Sequence, residues 1–501
     1  MMVPQVDWLY KWARYQPSRL ALRDHGRQLD WSYGQADARA QALAAYLRDE
    51  RGVQRGDRVA VLANNMAETV FLFFACVKLG AILVPLNFRL TRGELSGLLG
   101  DCEPRILFHD EAHAELADEL KPNLPATSLV GLAEVGTFLT GELHVSTLVV
   151  DRPGNLDDAV MILYTAGTTG VPKGAIINHR MILWNAINTS LRLDLTSSDH
   201  TQGYAPFFHT GGWHVLMTPF LHHGASTTLL ERFDADLILD LMEKERTTVF
   251  FGVPTMMRML SESPRFAHVD LSACRYAIVG GAPMPIPLIN TWHDKGIPIR
   301  QGYGMTEVGP NCFSLHQDHA IRKRGSIGQP NFYIDARIVA ENGADCSDGE
   351  AGELWLRSEV VTPGYWRKPE ETAAAITDGW FHTGDMVTRD PEGYYHVVDR
   401  KKNMFISGGE NVYPAEVEQV IVMNPAIKEA AVIGVADAQW GEVGRAFVVL
   451  QPGASLEHDD LRHWCLDKLA KYKIPKHVQI LPSLPVNQAG KIDRLRLKEL
   501  D

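Results

Sequence analysis

Residues 164–174 of this 501-residue chain read Tyr164-Thr165-Ala166-Gly167-Thr168-Thr169-Gly170-Val171-Pro172-Lys173-Gly174. Hydroxyl residues and glycines are closed by a lysine, directly after the apolar stretch Ala159 to Leu163. Such a run can cradle a phosphate. Glycine lets the backbone approach an anion, successive N–H groups and hydroxyls donate to its oxygens, and lysine brings charge to where phosphate charge is concentrated. The usual P-loop needs Gly-Lys followed by Ser or Thr, whereas here Pro172 precedes Lys173 and Gly174 follows it. With no hydroxyl after the lysine to hold Mg²⁺, and a proline where a helix would begin, the run suits release of pyrophosphate better than storage of a resting triphosphate. Alone it is more often a Gly/Thr surface turn. Its company decides.

Four further blocks follow in chain order: Gln301-Gly302-Tyr303-Gly304-Met305-Thr306-Glu307; Trp380-Phe381-His382-Thr383-Gly384-Asp385; Asp399-Arg400-Lys401-Lys402 leading into Ser407-Gly408-Gly409-Glu410-Asn411; and Asn487-Gln488-Ala489-Gly490-Lys491. Together with the first, they resemble the adenylate-forming superfamily of acyl-CoA synthetases, nonribosomal-peptide adenylation domains and luciferases. One departure is Ala166, where many relatives carry Ser or Gly. It removes a side-chain donor but keeps the backbone N–H, so a quantitative effect at most is expected.

Activating a carboxylic acid means bringing an anionic nucleophile to the α-phosphorus of ATP while pyrophosphate leaves, so charge neutralisation is the central problem. The resemblance implies that Thr165, Gly167, Thr168, Thr169, Gly170 and Lys173 bind the β and γ phosphates. It also implies that Glu307 holds Mg²⁺ and that Thr306 contacts the α-phosphate. Asp385 and Arg400 would hold the ribose. Tyr303 would offer its ring to adenine, with Gly304 beside it and Gly280, Gly281, Ala282 and Pro283 as a flat backbone edge opposite. Lys491 is the expected main catalytic residue of this half-reaction, bridging the acyl carboxylate and the α-phosphate. For thiol attack the small domain would rotate about Lys402, withdraw Lys491 and bring Gly408, Gly409 and Trp440 to CoA.

His209, in Pro206-Phe207-Phe208-His209-Thr210-Gly211-Gly212-Trp213, would orient the carboxylate or gate the thiol tunnel, with Trp213, Gly302 and Gly304 at the acyl pocket. Each assignment has a plainer counterpart: a helix N-terminal carboxylate for Glu307, a turn for Thr383-Gly384-Asp385, a core histidine for His209, a packed loop tryptophan for Trp440 and a solvated lysine for Lys491. Acetate-specific relatives carry Trp where this chain has Gly304, so a deeper pocket is expected, for a medium or long fatty acid or an aryl acid.

The elements that must position these residues are those of a large folded chain. Hydrophobic residues make up 45% and charged residues 22%, which suits globular structure and excludes extensive disorder. At 501 residues several domains or subdomains are expected. A net charge of -12 argues against nonspecific nucleic-acid binding. Met1 to Pro17 carries Asp7, Lys11 and Arg14 and lacks the layout of a secretory signal. The apolar run Val70 to Val77 is stopped by Lys78, far short of the ~20 residues that span a bilayer, and reads as a buried helix. Six scattered cysteines without Cys-x-x-Cys spacing fit reduced thiols and a cytoplasmic setting.

Strand Arg58 to Leu62, helix Ala67 to Leu79 and strand Ala81 to Pro85 read as a βαβ unit. Similar alternation recurs around Thr247 to Val253, Arg275 to Gly280 and Ile297 to Gln301. Gly328 to Arg357 reads as a small β-rich subdomain. The expected fold is thus α/β: a large N-terminal domain of stacked α/β subdomains plus a small β-rich subdomain (1–398), a hinge (399–402) and a small mobile C-terminal α+β domain (403–501).

The function this implies is an AMP-forming acyl-CoA synthetase acting on a medium- or long-chain fatty acid, with ATP and CoA as cosubstrates and Mg²⁺ as cofactor. The alternatives are an aryl-acid CoA ligase, an adenylating enzyme that loads a carrier-protein pantetheine, a luciferase-like oxygenase and an inactive nucleotide-binding sensor. Peripheral membrane contact and oligomeric state stay open at this point.

Overall fold

The computed structural model describes residues 6–136, 155–165, 172–408, 410–466, 468–486 and 492–500. Two largely parallel sheets and an antiparallel sheet make up the part that carries the site. In the first, strands run in the order Ser128–Gly131, Ile106–His109, Arg58–Leu62, Ile82–Pro85, Ala159–Thr165, Lys173–Asn178, and only the last pair is antiparallel. The expected βαβ unit sits at its centre. Its helix, Ala67–Leu79, is apolar and buried on every side and ends at Gly80, whose φ of 71° closes the last turn onto Cys76. Lys78 is buried in that helix, its Nζ 2.8 Å from Asp7 and 2.6 Å from Asp37.

The second sheet runs Val249–Gly252, Tyr276–Val279, Ile299–Met305, Gly309–Ser314, Gln329–Pro330, its first three strands parallel. These are the strands expected from the alternation after residue 247. Ligands of such sheets bind beyond the carboxyl ends of the parallel strands, and Gly280 to Pro283 lies at one of those ends. A third sheet runs Leu29–Ser32, Leu20–Asp24, Ser226–Leu229, His200–Gly203, parallel apart from its first pair.

The β-rich part reaches further than residue 357. Asp335–Val339 and Gly352–Arg357 are joined by Trp380–Arg389, Ile376–Thr377 and Tyr395–Arg400 in one antiparallel sheet. The intervening helix Pro369–Ala375 concealed that continuity from a strand-by-strand reading. A separate five-stranded sheet begins at Phe405–Ser407 and includes the long hairpin Ile427–Asp437 and Gly441–Leu450. None of the six cysteines is in a disulfide. Among the described residues no helix is long and apolar enough to cross a membrane.

Candidate active site

The hairpin Ala159–Thr165 and Lys173–Asn178 delivers both flanks of the glycine run to one edge of the first sheet, with Thr165 and Lys173 directly paired. The run's own Gly167, Thr168, Thr169 and Gly170 lie outside the described residues, as do Gly409 and Lys491. Residues 362–366 strap across the hairpin's outer strand: Ile176 N–H donates to Gly364 O at 3.0 Å and Trp366 N–H to Gly174 O at 2.7 Å. That strap presents Tyr365. Its hydroxyl donates to Glu307 Oε1 at 3.1 Å, the Thr165 hydroxyl lies 3.4 Å from the same oxygen, and the Lys173 ammonium stands 5.3 Å from the Tyr365 ring centroid. Burial, followed by the Glu307 carboxylate, pushes the Tyr365 phenol upward, so it stays a neutral donor. Tyr365 was not foreseen from sequence, because 58 residues separate it from Glu307. Glu307 itself lies in the short 3-10 turn Thr306–Val308, directly after the strand that carries Tyr303.

The second cluster joins the two other sheets of the site. Asp385 and Arg400 are cross-strand neighbours in the antiparallel sheet, with Arg400 Nε 2.5 Å from Asp385 Oδ1. The other carboxylate oxygen accepts the Tyr303 hydroxyl at 2.5 Å. Tyr303 therefore does more than offer a ring face: it fixes Asp385. Burial and that carboxylate raise the phenol's pKa well above its usual range. Asp385 thus holds Arg400 on one carboxylate oxygen and the Tyr303 hydroxyl on the other. Gly384, with φ of 69°, makes the turn that lets Asp385 N–H reach the Thr383 hydroxyl at 3.1 Å. Gly281, Ala282 and Pro283 are exposed at the end of the neighbouring strand, and a Cβ on Gly280 would stand 3.5 Å from Gly302 O.

Two expectations need correction, and one plainer counterpart falls away. Trp213 does not face a pocket: it is fully buried, stacked on Phe207 with centroids 4.4 Å apart and donating to Phe207 O at 2.6 Å. Gly304 is no gauge of pocket depth, since a Cβ there would stand 2.3 Å from Gly309 O and from the Pro310 carbonyl carbon. The adjoining strand excludes any side chain. His209 is exposed at the tip of its turn and is not a core histidine. The space beside it is a cleft lined by Gly211, Gly212, Tyr204, Phe251, Leu216 and Met217, with Thr201 and Thr227 at its floor.

Lys402 falls in the short turn Lys401–Asn403 between the last strand of the antiparallel sheet and the separate C-terminal sheet. Asp399, buried, clasps this joint: it accepts Arg400 N–H at 2.6 Å, Asn403 Nδ2 at 2.9 Å and, from the far side, Ala415 N–H at 2.8 Å. Sequence reading put Asp399 within the hinge (399–402) but gave its side chain no role. Trp440 is half exposed and lies over Gly408, where a Cβ would come within 2.8 Å of its ring. Gly408 N–H donates to Trp440 O at 2.9 Å, so these two expected CoA residues form one surface unit.

The strand Ile299–Met305 and the turn after it thus link the two clusters, Tyr303 bonding Asp385 and Glu307 accepting from Tyr365. The chain belongs to the AMP-binding enzyme family, whose profile matches residues 9–366, with the AMP-binding enzyme C-terminal domain matching residues 416–491. It is an acid–thiol ligase of the AMP-forming, acyl-CoA synthetase type.

Among curated relatives it is 41% identical over 490 residues to feruloyl-CoA synthase of Amycolatopsis sp, covering 97% of this chain and 96% of that protein. It is 34% identical over 502 residues to the long-chain-fatty-acid–CoA ligase FadD13 of Mycobacterium tuberculosis, covering 99% of this chain and 98% of that one. Among solved structures, o-succinylbenzoate coenzyme A synthetase (MenE) from Bacillus subtilis, in complex with ATP and magnesium ion, superposes with a TM-score of 0.87 at 30% identity, covering 98% of this chain and 99% of that one.

Proposed function

We propose that this ligase activates an aryl or aryl-alkenoic carboxylic acid with Mg²⁺-ATP to the acyl adenylate and transfers the acyl group to CoA. The observation that carries the aryl choice is the 41% identity, over nearly the full length, to a feruloyl-CoA synthase.

The residues present fit Mg²⁺. Glu307 supplies a hard oxygen donor oriented by two hydroxyls, and among the described residues no cluster of three His, Cys, Asp or Glu forms an all-protein cage. One carboxylate together with substrate phosphates is a common way to hold this ion. When bound, Mg²⁺ withdraws charge from the phosphate oxygens and so eases nucleophilic approach. Thr165 and Lys173 then face the β and γ phosphates, Thr306 the α-phosphate, Asp385 and Arg400 the ribose, and Lys491 the attacking carboxylate. Turning the chain at Lys402 for the thiol step would separate Asp399 from Ala415, so that bond favours the orientation described here.

The test is pyrophosphate and AMP release across benzoates, cinnamates and alkanoates of increasing length, each with and without CoA. CoA-dependent AMP formation with kcat/KM highest on an aryl acid is expected. An optimum on long alkanoates would establish the fatty-acid reading instead, and adenylation without CoA dependence would point to a carrier-protein acceptor.

Tyr365→Phe separates positioning from folding. It keeps the ring under Lys173 and removes the hydroxyl from Glu307, so the Mg²⁺-ATP concentration at half-maximal rate should rise about tenfold, the usual cost of losing a hydrogen bond to a charged group. The thermal midpoint should stay at the wild-type value. Titrating Mg²⁺ at fixed ATP reads this out, and an unchanged Mg²⁺ dependence would show that Tyr365 does not position Glu307.

A further inference from the structure

The cleft beside His209 has a floor of unusual chemistry. Strands His200–Gly203 and Ser226–Leu229 are parallel neighbours with Thr201 opposite Thr227, so these two side chains project together from one face of the sheet. On the other face every polar side chain is engaged. His200 bonds Ser226 at 2.8 Å and Glu245 at 2.9 Å, Gln202 donates to Thr247 at 2.7 Å, and Thr228 lies 3.3 Å from His200. On the cleft face, Thr201 and Thr227 are each 1% exposed, and neither hydroxyl has a hydrogen-bond partner among the described residues.

A buried hydroxyl without a partner costs about 1–3 kcal/mol. Valine would fill the same volume without that cost and is at least as well suited to a strand. Packing therefore does not explain two adjacent unpartnered threonines, whereas a ligand atom between them would. Gly203, next on the same face, supplies room, since a Cβ there would stand 3.0 Å from Thr227 Cγ2. The free interior takes about one water molecule. A ring could be admitted only if the walls, buried Met217 among them, move apart.

The cleft reaches toward the second sheet. Gly211 and Gly212 follow His209 by two and three residues. A Cβ on Gly211 would stand 3.5 Å from Phe251, in the strand next to the one that ends at the Gly280–Pro283 loop.

We infer that Thr201 and Thr227 recognise a hydrogen-bonding substituent, such as a hydroxyl, on the end of the aryl acid farthest from its carboxylate. This rests on the aryl-acid reading above. Each threonine hydroxyl both donates and accepts, so the pair serves a phenol in either sense. Sites built to hydrogen-bond a substrate hydroxyl discriminate strongly against the analogue that lacks it, because their own groups are then left unpaired.

The experiment compares cinnamate with 4-hydroxycinnamate, and benzoate with 4-hydroxybenzoate, in the wild type, in Thr201→Val/Thr227→Val and in Thr201→Ser/Thr227→Ser. In the wild type the hydroxylated acid of the better pair should have a kcat/KM higher by about 10²-fold or more. The double valine variant should lose that preference while keeping its rate on the unsubstituted acid, and the double serine variant should retain it. Thermal midpoints of the valine variant should equal or exceed the wild type, since an unpartnered hydroxyl has been removed; a marked drop would mean the hydroxyls have protein partners and would overturn the inference. Equal use of both acids by the wild type, as a bridging water alone would give, or a preference that survives the valine substitutions, would also overturn it while leaving the aryl-acid function standing. A wild-type optimum on alkanoates would remove both.

Discussion

Replacing Lys491 with alanine is expected to slow acyl-AMP formation about 10²- to 10³-fold while leaving transfer from supplied acyl adenylate to CoA within about threefold of wild type. A carboxylate approaching the α-phosphorus meets like charge, and the transition state gathers more of it on the phosphoryl oxygens. A cation touching both reactants lowers the barrier twice, by orienting the nucleophile and by offsetting that charge. Lys173 and Arg400, proposed above for other parts of ATP, would not substitute in position. On either side of residues 487–491, Val486 bridges to Ile492 and Asp493 N–H donates to Pro485 O at 2.9 Å. Single-turnover assays of each half-reaction decide the matter. Wild-type adenylation, or equal losses in both halves, would remove Lys491 from the proposed role.

Much of the site was legible because its chemistry sits in short contiguous runs. Thr165 and Lys173, Tyr303 to Glu307, and Thr383 to Asp385 are each close together in the chain, where residue type and spacing carry the meaning. The βαβ unit was equally plain, since the helix Ala67–Leu79 ends at a glycine and its strands are apolar apart from Arg58. What could not be read were the pairings between runs. The bond from Tyr303 to Asp385 joins residues 82 apart, and Tyr365 reaches Glu307 only because a strap crosses the phosphate hairpin. Trp213 and Gly304 misled for one reason: a motif position tells which residue is there, but the direction of its Cβ is set by the backbone around it. Thr201 and Thr227 carried no signal at all, as threonine in a strand is ordinary and only the absence of a partner singles them out.

Lys78→Met should be the most damaging substitution outside the site, destabilising the N-terminal part of the chain by about 3–5 kcal/mol. The sequence shows Lys78 only as the residue that stops an apolar run. In the fold it is 4% exposed, with its ammonium shared between Asp7, before the first helix, and Asp37, in the helix Tyr33–Asp49. Burial opposes the ammonium, but the two carboxylates more than offset it and raise its pKa. Its stabilisation is therefore fully present at neutral pH and is lost only as pH rises through that raised value. Methionine fills the space but leaves two buried carboxylates facing each other without a cation, which costs more than the ion pairs ever contributed. The triple change Lys78→Met, Asp7→Asn, Asp37→Asn removes the stranded charges and should recover most of the loss. Urea unfolding followed by tryptophan fluorescence, with Trp8 and Trp12 in the affected helix, distinguishes the cases. If Lys78→Met unfolded at the wild-type midpoint, the triad would be a passive feature of the core, and the apolar packing around Phe71, Phe73 and Phe74 alone would hold the three helices.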